Sequence, residues 1–315
     1  MPRAWPIPPL LLALGAALAS CCRSPPEPRE REASTATPLG AGAPVLPSAG
    51  AAASSSGPRE PVRRPWVELY YPSWTMTVRS AGSFDLSSVS DLVLFGLVPD
   101  GRSASAKPAG LDEQRVTAAR SAARASGASV LVCVGGERTG ERFRDAVGAD
   151  GAALAASVAA FVREHELDGV VLDVEPMSAV AESALVAFVT ALRERLRVVR
   201  PDARVEAVVA PDAREIALLA PIATLLDRVA VMSYLGRSSD EDDQRLVDRI
   251  VALGISRERV GLGIDARTPE ERSRRRAAAV RDGQIGGLIL WHAGSLCKGG
   301  DGGARCALAV TSLVP

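Results

Sequence analysis

The sequence predicts an α/β fold: a single-domain (β/α)8 TIM barrel over residues 66–315. Three observations lead there. Strand-like and helix-like segments alternate through this stretch, the pattern of a parallel sheet covered by helices. Eight strand-like segments fit into about 250 residues, the usual length of such a barrel. The fourth segment carries two acids, Asp173 and Glu175, on one face of an otherwise apolar run. A barrel interior and its mouth accommodate acids on one face, whereas an open doubly wound sheet is covered by helices on both.

Taken in order, the strand-like segments are 66–71, 91–98, 129–134, 168–175, 205–210, 228–234, 260–264 and 287–291. Helical spacing of apolar residues is found over 112–126, 152–166, 179–199, 240–253 and 269–281. The first unit is thin, because 72–90 shows no convincing helix. The fourth strand reads LDGVVLDVEP over 167–176. Successive side chains alternate, so Val171, Asp173 and Glu175 share one face while Val170, Leu172 and Val174 point to the other. Buried carboxylates are costly unless partnered or used. The structural alternative is a pair held by an Arg or by backbone donors.

Ahead of the barrel, Arg3 precedes the apolar run LLLALGAALA. It is too short to span a bilayer and reads as the core of a secretory signal. Leu18-Ala19-Ser20-Cys21 follows and resembles the bacterial lipobox, where cleavage leaves a lipid-bearing Cys at the new N-terminus. The expectation is a signal peptide over 1–20, lipidation of Cys21, and a disordered Pro/Ala/Ser-rich tether over 21–65 that cannot bury enough surface to offset its ordering entropy. Each buried acyl CH₂ contributes ~0.8 kcal/mol, so a multiply acylated Cys anchors stably. The expected location is the cell envelope, membrane-anchored and facing the periplasm or the surface.

Lys+Arg and Asp+Glu both number 37, which gives no electrostatic case for a nucleic-acid partner. Aromatic residues make up 4% of the chain, which argues against a long stacked groove for a crystalline polymer. The two histidines, His165 and His292, lack carboxylates at ligand spacing, and no Cys pair has zinc spacing, so neither a metal nor a cofactor is expected. Cys133 reads as a small buried side chain of the barrel. The run 299–303 lacks the Lys-Ser/Thr of a phosphate loop. Arg272 and 274–276 read as a solvated helix face.

Several motifs resemble glycoside hydrolase family 18, the chitinase-like barrels. The fourth-strand motif of that family is Asp-Gly-x-Asp-x-Asp-x-Glu; here Asp168-Gly169-Val170-Val171-Leu172-Asp173-Val174-Glu175 stands in its place. Tyr70-Tyr71-Pro72-Ser73-Trp74 is similar to the opening Tyr-x-x-x-Trp segment. Cys133-Val134-Gly135-Gly136 resembles Ser-x-Gly-Gly, and Met232-Ser233-Tyr234 resembles Met-x-Tyr. Trp291 closes the eighth strand, where the family keeps a Trp as the floor of a sugar subsite. Two positions depart from the pattern: Val171 replaces an acid, and Leu235 stands where Asp or Asn often follows the Tyr. Only about 20 residues separate the last two strands, a normal crossover, so the extra insertion domain of processive chitinases is not expected.

The resemblance implies a retaining, substrate-assisted glycosidase cleaving β-1,4 linkages next to N-acetylglucosamine, in chitin oligomers or peptidoglycan. Glu175 would be the general acid. Asp173 would orient the acetamide, and Tyr234 would hydrogen-bond its oxygen. Tyr70, Trp74 and Trp291 would bind the sugar, with Phe95 lining the cleft or joining the core. Asp173 is expected to raise the pKa of Glu175 by proximity. The alternative is a catalytically weak or inactive glycan-binding protein on the same barrel. A monomer is expected. Cys297 and Cys306 flank a Gly-rich stretch and, in an exported protein, are expected to form a disulfide.

Overall fold

The computed structural model of the protein describes residues 65–234 and 239–296. The expected signal peptide, the tether, Cys21, Leu235 and the Cys297–Cys306 bond lie outside the described residues.

The chain opens with β1 (Trp66–Pro72) and the single turn α1 (Ser73–Met76), then β2 (Asp91–Asp100), β3 (Ser105–Pro108) and α2 (Glu113–Ala125). It continues through β4 (Ser129–Gly136), α3 (Gly140–Glu164), β5 (Gly169–Val174), α4 (Glu182–Val199), β6 (Arg204–Val209) and α5 (Ala213–Ala217). Last come β7 (Arg228–Val231), α6 (Asp240–Ala252), β8 (Val260–Asp265), α7 (Glu270–Arg281), β9 (Gly287–Trp291) and α8 (Ala293–Leu296). Eight strands pair in parallel, and β1 pairs with both β2 and β9, so the sheet closes. This is the (β/α)8 barrel the alternation predicts. The additional strand is β3, an antiparallel hairpin on the outgoing end of β2. It was not legible as a strand because SAKP has no apolar face.

The thin first unit is real: 73–83 holds only α1 and a three-residue 3₁₀ turn. The helix expected at 152–166 starts earlier, at Gly140, with a break at Asp150 whose carboxylate caps the Ala153 amide at 2.9 Å. Helices cover the barrel with apolar stripes at 3–4 spacing. On α4, Leu185, Phe188, Val189, Leu192 and Leu196 are buried, and Phe188 meets Phe143 of α3 edge to face at 4.9 Å. His165 ends α3 and places Nδ1 3.1 Å from Glu113, a structural role.

Inside the barrel, side chains stack in layers. The middle is apolar, with Val93, Leu131, Cys133, Val171, Val208, Ala230 and Ile289 in one cluster. At the N-terminal end of the strands, Trp66 fills the base. A Cβ at Gly261 or Gly287 would lie 2.2 or 2.1 Å from its ring, so glycine is what makes room for the indole. Glu68, Asp91 and Glu206 are all buried beside it. Arg228 lies 2.7 Å from Asp91 and 3.6 Å from both Glu68 and Glu206, while Arg204 pairs with Asp91 and Glu206. Three acids thus meet two cations. Burial and the neighbouring Glu206 push the Glu68 carboxyl well up. Burial also presses on Asp91, but Arg204 and Arg228 outweigh it and hold its pKa below the usual range.

Candidate active site

The C-terminal ends of the strands carry the other polar layer. Asp173 is the next-to-last residue of β5 and is 3% exposed, and Glu175 follows just past the strand, half-buried. Their shared face follows from strand alternation. The two carboxyls are hydrogen-bonded to each other. Cys133 of β4 points its thiol at Asp173 Oδ2 at 3.8 Å. Gly135 and Gly136 have φ of +115° and +116°. Only glycine suits both places: a Cβ at Gly135 would lie 2.1 Å from the Asp173 carbonyl oxygen, and one at Gly136 would lie 2.4 Å from the Phe95 ring.

Tyr234 enters from the end of β7. Its ring lies against Gly263 of β8, where a Cβ would sit 2.6 Å from it. The peptides Glu175–Pro176 and Trp291–His292 are cis. Trp291, at the end of β9, is the hub of an aromatic floor. Its ring centroid is 5.6 Å from Tyr70, 5.1 Å from Phe95, 6.4 Å from Trp74 and 5.4 Å from His292, all edge to face. Trp74 is 49% exposed, an unusual cost for so large an apolar side chain.

Burial raises both acids, but unequally. Asp173 is pushed well above the usual carboxylate range, first by burial and then by the charge and hydrogen bond of Glu175. Glu175 is raised by burial, while its hydrogen bond with Asp173 pulls the other way; the charges of Glu137 and Glu215 add to the rise. The expectation that Asp173 raises Glu175 is therefore corrected. Exclusion from water, not its partner, lifts Glu175. Tyr234 is pushed up by burial and then by the two acids, so it stays a neutral donor. Among the described residues, the buried Asp173 Oδ1 and Tyr70 hydroxyl have no hydrogen-bond partner, which marks them for a ligand or solvent.

Of the residues singled out in the sequence, Asp173, Glu175 and Tyr234 converge at the barrel mouth. Trp74 and Trp291 form its aromatic side, and Phe95 joins them instead of the outer core. Tyr70 is 2% exposed, beneath Trp291. Glu137, Glu215 and His292 also belong to the site. No motif flagged them, since each comes from a loop or short helix whose position depends on the closed barrel. Among the described residues, no group of three His, Cys, Asp or Glu side chains could hold a metal ion.

Val171 lies in the apolar layer directly below Asp173, fully buried. Val171→Asp is expected to cost stability, roughly 1–3 kcal/mol for an unpaired polar group, and to push Asp173 higher still. Thermal melts across pH check this: the loss should grow as pH rises and the added acid is driven to ionise. An unchanged melt at neutral pH contradicts the placement.

The profile of the family described as Glycosyl hydrolases family 18 matches residues 68–248. No curated protein matches the chain. Among solved structures, a plant class V chitinase mutant from Cycas revoluta, in complex with (GlcNAc)3, superposes with a TM-score of 0.67 at 12% identity, over 79% of this chain and 98% of that one. A GH18 chitinase from Pseudoalteromonas aurantia gives 0.56 at 18% identity, over 72% and 93%. A chitinase-like agglutinin from Robinia pseudoacacia gives 0.64 at 12%, over 78% and 98%. At these identities the likeness establishes the fold.

Proposed function

Since the chain belongs to glycosyl hydrolases family 18, we propose that it cleaves β-1,4 linkages next to N-acetylglucosamine by a retaining, substrate-assisted route. Glu175 protonates the glycosidic oxygen. The 2-acetamido oxygen of the same sugar attacks the anomeric carbon as the leaving group departs, giving an oxazolinium ion. Asp173 accepts the acetamide N–H and takes up the developing positive charge. Tyr234 donates to the acetamido oxygen, and Trp291 packs under the ring. Water then opens the oxazolinium ion, with Glu175 removing its proton.

The observation that carries this reading is the buried Asp173 Oδ1, which has no partner among the described residues, beside a half-buried Glu175 with a raised pKa. An N–H from a bound acetamido group would satisfy that oxygen. Incubation with soluble N-acetylglucosamine oligomers and with purified peptidoglycan, side by side, tests the reading through reducing ends released with retained configuration. A binding-only protein is the second reading, favoured by Val171 in the place of an acid. Glycan affinity without any release of reducing ends would select it.

We also propose that the barrel is exported and held at the membrane through Cys21. Cys21→Ser is expected to shift the protein from the membrane to the soluble fraction of the cell envelope. Wild-type protein already soluble after export, with its N-terminus elsewhere than residue 21, would dismiss the anchor.

A further inference from the structure

The turn that follows Glu175 is held by a second carboxylate. Glu215 lies on α5 and is 8% exposed. Its Oε2 accepts the Met177 N–H at 2.7 Å, and both of its oxygens accept the Ser178 N–H, at 3.2 and 3.3 Å. Asp212 caps α5 by accepting the amides of Arg214 and Glu215 at 2.8 and 3.3 Å, which sets the direction of this helix. Upstream, the Glu175 carbonyl accepts the Gly140 N–H at 2.9 Å. The backbone around Glu175 is thus tied on both sides, by α3 before it and by α5 after it. Among the described residues, no Lys or Arg pairs with Glu215. A buried acid answered only by two amides is costly for a purely structural tie, which a neutral acceptor would serve as well.

We propose that Glu215 is a positioning residue for the general acid: it clamps the Met177–Ser178 turn and sets a negative charge beside the Glu175 carboxyl. The inference rests on the reading of Glu175 as the acid. The groups facing Glu175 are Asp173 from its own strand, Cys133 and Glu137 from β4 and the loop after it, Glu215 from α5 and Tyr234 from the end of β7. Glu137 is the larger of the two outer charges on Glu175 but is exposed, whereas Glu215 is buried and held in place by the two amides. A negative neighbour favours the protonated carboxyl and so extends the working range of an acid towards higher pH.

Two variants separate clamp from charge. Glu215→Gln keeps a carbonyl oxygen for both amides and removes the charge; Glu215→Ala removes both. Titration of the ¹³C-labelled Glu175 carboxyl, assigned by its loss in Glu175→Gln, should show a midpoint lower by roughly 0.5–1 pH unit in Glu215→Gln. The alkaline limb of kcat/KM should move to lower pH by the same amount. Hydrogen exchange of the Met177 and Ser178 amides should quicken in Glu215→Ala and stay slow in Glu215→Gln. A Glu175 midpoint identical in wild type and Glu215→Gln overturns the charge, and unchanged exchange in Glu215→Ala overturns the clamp. Both readouts work without turnover, so a wild-type protein that cleaves no glycan would count against the proposed function alone. If Glu215→Ala does not fold, the titration of Glu215→Gln still decides.

Discussion

Glu175→Gln is expected to lower glycan hydrolysis by roughly 10²–10⁴-fold, the usual contribution of a positioned general acid. The substitution keeps the shape and the hydrogen bond with Asp173 but leaves no proton to give. Because Trp74, Trp291 and Tyr234 are untouched, the affinity for an N-acetylglucosamine oligomer should stay within a few-fold. The loss should therefore fall on kcat and not on KM. The wild-type pH profile should be bell-shaped. Its alkaline limb follows Glu175, which burial raises above an ordinary glutamate, so activity extends towards neutral pH before the proton is lost. A thiazoline analogue of the oxazolinium ion should compete with substrate in both wild type and variant. Equal activity in the two proteins would remove Glu175 from the chemistry. Equal binding with no activity in either would leave the binding-only reading.

Arg228→Leu is expected to destabilise the fold by about 3–5 kcal/mol at pH 7, the range for removing one partner of a buried ionic group. Its guanidinium faces Glu68, Asp91 and Glu206 at the barrel base and lies 4.8 Å from the Trp66 ring centroid. Without it, Arg204 alone answers three acids. For a domain of this size the melting temperature should fall by roughly 10 °C. In wild type, the depressed pKa of Asp91 contributes stability above the unfolded carboxylate value, and this is lost as pH falls through the folded value. Glu68 is raised and does the reverse, costing stability as pH climbs past its unfolded value. Removing Arg228 lets Asp91 rise as well, so the variant's deficit should be smaller at pH 5 than at pH 7. Adding Asp91→Asn should recover part of the loss. Chemical denaturation at the two pH values checks this, and a deficit equal at both would mean that the cluster is not held by charge.

The barrel and its acid-bearing strand were legible because both rest on local periodicity. Alternation along β5 puts Asp173 and Glu175 on one face whatever surrounds them. The run of eight strand-like segments separated by helical stretches leaves few other ways to bury each apolar face. The segments holding Tyr70, Gly136, Tyr234 and Trp291 were readable through the family resemblance, whose motifs they match in order. The start of α3 and the β3 hairpin were not legible. Gly140 and the break at Asp150 interrupt helical spacing, and β3 has no apolar face to betray it.

What the sequence determined by itself is therefore the fold class and the shared face of the two acids. Tertiary structure alone decided that both acids are raised, Asp173 well above the usual range, since that depends on how deeply each is withdrawn from water. It alone brought Glu215 beneath the turn after Glu175, 38 residues away at the Met177 contact. It also gathered Glu68, Asp91 and Glu206 around Arg204 and Arg228. Burial and the separation of charges belong to the closed barrel, and electrostatic energy depends on both, so no reading of neighbours along the chain supplies them.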